Sequence, residues 1–172
     1  MLTPQLDETD IDMLKELQAN GRMSNSDLAE HVGLSPTPCL RRLRRLESEG
    51  VIQGYSVNLD RAKVGLELTV FVGVKVARAH DVEANAFVNA VLRLPEVVSC
   101  HLVSGEMDFL LQVVVPDLQA YEHLLLGTLL KLPSVQDVRS NFAIRTFKSA
   151  TALPLEHLER REEVAPRGKR NE

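Results

Sequence analysis

At Gly50 the spacing of apolar residues changes, and one layer of structure cannot satisfy both patterns. Before it, Ile11, Leu14 and Leu17, then Leu28, Ala29 and Val32, then Leu40, Leu43 and Leu46 recur every three or four residues, the period of helices packed on one side. After it, "VIQGYSVNL" (51–59) alternates enough to be a strand, and "ELTVFVGVKVA" (67–77) is β-branched and mostly apolar. A helical domain followed by a sheet-containing one is the expectation. With 172 residues, 44% of them hydrophobic, the chain is long enough to build two small cores.

The helical part divides into three. Asp7 is an N-cap with Asp10 as the acid of the first turn, and "NGR" at 20–22 stops the first helix. Ser24 and Asp27 open a second helix, and Gly33 supplies the turn after it. Ser35 caps a third, with Pro36 at the first helical position, where a missing N–H costs nothing. At about 100° per residue, Cys39, Leu40, Leu43 and Leu46 form the core side of this third helix. Thr37, Pro38, Arg41, Arg42, Arg44 and Arg45 fall on the opposite, outward arc.

Charge singles out the same helix. The chain carries a net −4, yet Arg41 to Arg45 holds four arginines within an otherwise acidic segment. A run of arginines on a helix is by itself an ordinary solvated face. Here two short helices are joined by a tight glycine-containing turn, and the second opens with small polar residues; this is how a helix-turn-helix presents itself to a DNA major groove. Arginine suits that task because its planar fork bridges two phosphate oxygens or the O6 and N7 of guanine.

The second half reads as strand (67–77), helix (82–94), strand (97–103), turn (104–108), strand (109–115), helix (118–132) and strand (135–147). "LRLPEVVSCHLV" from Leu92 and "LKLPSVQDVRSN" from Leu130 repeat the same sequence of helix end, Leu-Pro stop and strand. Two β-α-β units make a ferredoxin-like βαββαβ sandwich, an α+β fold with both helices on one face of an antiparallel sheet. The nearly continuous apolar run Leu110, Leu111, Val113, Val114, Val115 predicts that the other face is covered by something outside this fold. In the turn "SGEMDF", Gly105 permits exposed backbone N–H groups able to bind a carboxylate, and Glu106 and Asp108 offer acceptors to an ammonium group.

"LDETDIDMLKELQANG", "LSPTPCLRRLRRLESEG", "GVIQGY", "SGEMDFLLQV" and "TFKSATALPL" occur in an order that resembles the Lrp/AsnC family of feast/famine transcription regulators, over nearly the whole chain up to Leu155. The resemblance implies a winged helix-turn-helix domain with a linker strand over 1–60, a ferredoxin-like (RAM) domain for effector binding and oligomerisation over 61–153, and a tail over 154–172. It implies double-stranded DNA as a partner. Ser24, Asn25, Ser35, Thr37, Arg41, Arg42 and Arg45 are the expected DNA-facing set, with Arg42 matching the arginine most typical of the family. It further implies that homodimers form through face-to-face sheets and assemble into tetramers or octamers. An amino-acid effector, leucine or another aliphatic one, is expected between dimers at Ser104, Gly105, Glu106, Met107, Asp108 and Ser140. The sequence departs from the family in the last strand, where Ser140 and Asn141 replace frequent threonines.

Other chemistry has less support. No window approaches the roughly 18 apolar residues of a membrane span and the N-terminus is acidic, so a cytoplasmic location without membrane contact is expected. Cys39 and Cys100 lack metal or redox spacing and read as free thiols. The five histidines are scattered, no HExxH, Gly-x-Ser-x-Gly or phosphate loop occurs, and neither cofactor, metal nor catalysis is expected. The competing reading is an enzyme, because siroheme decarboxylases resemble the same two-domain family; they would need basic and histidine groups around a porphyrin-sized cleft. The tail, broken by Pro166 and Gly168, is expected to be a short helix followed by disorder.

Overall fold

The computed structural model describes residues 5–77, 81–132, 134–149 and 152–158, with the backbone alone for 81–84. These described residues form two compact units, one of the residues up to Val57 together with those from Lys148, the other of those from Asn58 to Phe147.

The first unit holds α1 (Glu8–Ala19), α2 (Asn25–His31) and α3 (Pro36–Ser48). Asp7 and Asp10 form a reciprocal capping box at the start of α1, each side chain accepting the other's backbone N–H. Met13, Leu28, Ala29 and Cys39 are the buried centre, with Leu17, Met23, Val32, Leu34 and Leu43 packed around them, and Leu46 is also buried. Leu40 departs from its expected place in this core. It is 36% exposed, because it lies about 100° around α3 from Cys39, past the edge of the buried arc. Ser35 takes the N-cap backbone conformation but makes no side-chain cap bond. Pro38, at the third helical position, removes one of the two N–H groups that such a cap can take.

Residues 51–59, expected as a strand, carry none, because no second segment of the described chain offers them a ladder. Instead the N–H groups of Val51 and Ile52 both donate to the Leu46 carbonyl, and Tyr55 Oη donates to Glu47 Oε1 at 3.0 Å. The segment after residue 148 returns to α1. Leu153 N–H donates to Gln18 Oε1 at 2.5 Å and Gln18 Nε2 to the Leu153 carbonyl at 3.3 Å, and residues 156–158 form one helical turn. The rest of the expected tail, 159–172, lies outside the described residues.

The second unit is the antiparallel sheet β2-β3-β1-β4, built from β1 (Leu68–Val76), β2 (Val97–Leu102), β3 (Phe109–Val115) and β4 (Val135–Phe142), with α4 (Asp81–Val91) and α5 (Leu118–Gly127) between them. The last strand ends at Phe142, five residues before the expected boundary at Phe147. Both helices cover one face: Phe87 and Val91 of α4 and Tyr121 and Leu124 of α5 pack on Val70, Val72, Val74, Leu111 and Val113. The period-2 alternation sends the other residues to the opposite face, where Thr69, Phe71 and Gly73 lie beside Val114, Gln112 and Leu110. Phe71 remains 39% exposed there while Val114 is buried, so part of this face is left uncovered in the single chain. Leu111 sits fully buried on a central strand. Leu111→Ala is expected to cost about 2–5 kcal/mol, read as a lower urea midpoint without a change in slope.

Candidate nucleic-acid interface and effector loop

α2 and α3 meet at Gly33, whose φ of 67° is a left-handed conformation that glycine adopts without strain. Polar side chains around this turn are used internally. Ser24 Oγ accepts the Asp27 N–H at 3.1 Å and donates to Asp27 Oδ2 at 2.7 Å, and Asn25 Nδ2 donates to the Pro36 carbonyl at 2.9 Å, tying the start of α2 to the start of α3. Ser24 thus caps α2 as its sequence position suggested, while Asn25, expected only among the DNA-facing residues, also braces the motif. Ser35, Thr37, Arg41 and Arg44 are exposed along α3, and among the described residues neither Arg41 nor Arg44 has an ion pair.

Arg42 and Arg45 differ from the outward placement expected of them. Arg42 Nη1 donates to Asp7 Oδ2 at 2.6 Å and to Asp10 Oδ1 at 3.0 Å, while Arg45 Nη2 donates to Asp10 Oδ2. The helical period explains the change: the two arginines lie about 60° and 120° from Cys39, on the flank of the buried arc that meets the start of α1. Asp10 is fully buried and receives three donors, the two arginines and the Asp7 N–H. Burial acts to raise the pKa of Asp7, but the Arg42 bond, the Asp10 N–H and the Arg42 charge outweigh it and hold the carboxyl below its ordinary 3.8. The same carboxylates hold the Arg42 guanidinium above its usual value. Sequence reasoning missed this clasp. The available signal was that Asp10, Leu14 and Leu17 share one helical stripe, an acid on a face otherwise apolar.

The loop between β2 and β3 is anchored at one end and open at its tip. Asp108 N–H donates to the Val74 carbonyl, and its Oδ2 accepts the Val76 N–H at 3.0 Å, fastening the loop to the end of β1. Met107 lies over Gly73, where an added Cβ would come 3.0 Å from the Met107 Cγ. Gly105, at φ 124°, is exposed with Ser104 and Glu106. Glu106 forms a two-pronged ion pair with Arg139 of β4, at 2.6 and 2.7 Å, and Arg139 in turn holds its carboxyl below the usual range. Arg139 is a loop neighbour that sequence reasoning did not select, because the pair spans separate strands. Ser140 is not brought to the loop tip. It belongs to the helix-covered face, paired with Val72, and its Oγ lies 2.5 Å from Tyr121 Oη.

Residues 6–53 match the family described as "Winged helix-turn-helix DNA-binding", and residues 69–153 match "Lrp/AsnC ligand binding domain". The leucine-responsive regulatory proteins of Escherichia coli K12 and Klebsiella pneumoniae are each 46% identical over 148 residues, covering 86% of this chain and 90% of theirs. The chain belongs to the Lrp/AsnC family. Among solved structures of similar proteins, a Neisseria meningitidis transcriptional regulator in complex with L-Met superposes with a TM-score of 0.86 at 44% identity, over 89% of this chain and 99% of that one. An Agrobacterium tumefaciens AsnC-family regulator gives 0.84 at 39%, over 88% and 99%. As an Lrp/AsnC protein the chain is a DNA-binding transcription regulator that carries the family's ligand-binding domain, with its helix-turn-helix in the first unit.

The clasp at the helix-turn-helix gives an acid-side signature. Because Asp7 has a lower pKa folded than unfolded, its contribution is fully present above the ordinary 3.8 and is lost as the pH falls through the depressed folded value. A urea midpoint that falls between pH 5 and pH 3, with a smaller fall in Asp7→Asn, is the expected result.

Proposed function

We propose that this Lrp/AsnC regulator reads DNA with the exposed face of α3 and senses an aliphatic amino acid at the β2–β3 loop. The observation that carries the first half is the row of Ser35, Thr37, Arg41 and Arg44, exposed on the second helix of a helix-turn-helix. Arg41 and Arg44 supply charge to phosphates. Arg42 and Arg45 complete the contact set with the N–H groups their carboxylate partners leave over, and Ser24 and Asn25 stand at the start of the bracing helix. One such helix spans few base pairs, so two half-sites read by a symmetric dimer are required. The sheet face that carries Phe71 and Leu110 is the surface for that dimer, and dimers associate further into a tetramer or octamer.

For the effector, Ser104, Gly105, Glu106, Met107 and Asp108 present backbone N–H groups and carboxylates to the two charged ends of an amino acid, and Ser140, bonded to Tyr121 on the helix-covered face, is not part of this set. The names of the leucine-responsive relatives and the L-Met complex of the meningococcal regulator favour an aliphatic side chain. The relatives are regulators, and we read this chain likewise as a cytoplasmic regulator without catalytic activity; among the described residues no helix is long and apolar enough to cross a membrane.

Titrating Arg41→Ala against an operator-containing duplex is expected to weaken binding and to make the salt dependence shallower by roughly 0.9 in log–log slope. An unchanged slope removes Arg41 from the contact set. Calorimetry against the twenty amino acids tests the effector half, with heat expected from leucine or methionine. Asp108→Asn keeps an acceptor for the Val76 N–H but loses the charge, so it is expected to abolish that heat while leaving effector-free DNA affinity intact. If none of the twenty binds at millimolar concentration, the amino-acid reading falls.

A further inference from the structure

We propose that Asp7 and Asp10 form a built-in counter-charge on the recognition helix, which lowers affinity for non-specific DNA while holding Arg42 in position to read a base edge. This rests on α3 being the DNA-facing helix. Of the four arginines on α3, Arg42 and Arg45 are bound through three contacts by the carboxylates of Asp7, the cap of α1, and of Asp10 in its first turn, and Arg41 and Arg44 are not.

Non-specific binding is driven by cations that neutralise phosphates and release condensed counterions. A phosphate approaching the N–H groups that Arg42 has left meets a guanidinium already balanced by Asp7 at 2.6 Å and stands close to that carboxylate. Little net neutralisation follows. A guanine edge behaves differently, because O6 and N7 are neutral acceptors and the carboxylates behind the arginine do not repel them as they would a phosphate. Arg42 spends Nη1 on both aspartates, which fixes the plane of its fork and leaves its other N–H groups to donate. The clasp thereby changes what Arg42 contributes, from a mobile charge to an oriented donor.

The two carboxylates divide the work. Asp10, fully buried, holds both arginines and belongs to the packing of α1; Asp7, with a side chain 49% exposed, closes the clasp from the solvent side. Asp7 is therefore the position at which the charge can be removed while the helix start is kept. Asparagine and serine cap helices about as well as aspartate. Asp12, similarly exposed on the same helix at 52%, pairs with Lys15 at 3.7 Å and supplies the control for a simple change in net charge.

The test measures the full chain against random-sequence duplex from 50 to 200 mM salt, comparing wild type with Asp7→Asn, Asp7→Ser and Asp12→Asn, each checked by urea unfolding. Both Asp7 variants are expected to bind about threefold more tightly at the low-salt end, with a slope steeper by up to roughly 0.9, while Asp12→Asn follows wild type. Wild-type affinity and slope in both Asp7 variants would overturn the proposal. So would an equal gain in Asp12→Asn, which would reduce the effect to net charge. A wild-type protein that binds no duplex at all would remove the DNA reading itself, and this inference with it.

Discussion

Asp10 is a carboxylate without solvent contact, and the arrangement of the helical unit follows from how that charge is satisfied. A buried ion is tolerated only when its lone pairs are filled and its charge is opposed. Asp10 meets both conditions with donors from two separate places, the Asp7 N–H at the start of its own helix and the guanidinium groups of Arg42 and Arg45 on α3. The start of α1 is thus locked to the middle of α3, and Asn25 locks the start of α2 to the start of α3. Between them these ties leave α3 little freedom within its unit.

The ferredoxin-like unit combines rigidity and access in another way. Its loop between β2 and β3 is fastened by Asp108 to the end of β1, yet Ser104, Gly105 and Glu106 remain in solvent. The strands beneath are held by the core around Leu111 and by the bond between Tyr121 and Ser140, a polar pair inside the helix-covered layer. A polar group so placed must be bonded, and Ser140 is bonded inward. The Glu106–Arg139 pair, by contrast, lies in water, where ion pairs contribute little to stability. Its interest is that it links the loop tip to the last strand.

Much of this was legible in the amino-acid order. Helical and alternating periods located both units, the Asp7 and Ser24 caps lie where short-range hydrogen-bonding rules put them, and the strand Phe109–Val115 has the bounds its apolar run suggested. The repeat of helix, Leu-Pro and strand foretold the double β-α-β and hence helices on one face only. These are local properties. Each depends on residues within a turn or two of one another, so spacing alone decides them.

What tertiary structure decided was the use of side chains whose partners are distant in the chain. Arg41, Arg42, Arg44 and Arg45 are alike in sequence, but the neighbour α1 makes two of them part of an internal ion cluster and leaves two exposed. Leu40 left the core because the buried arc of α3 is centred on Cys39, Leu43 and Leu46. Residues 51–59 alternate like a strand, yet a strand exists only where another offers its ladder. The sequence by itself determined the elements and the excess of positive charge on one helix; only packing decided which of those charges face the solvent, because a charge is spent or kept according to what folds against it.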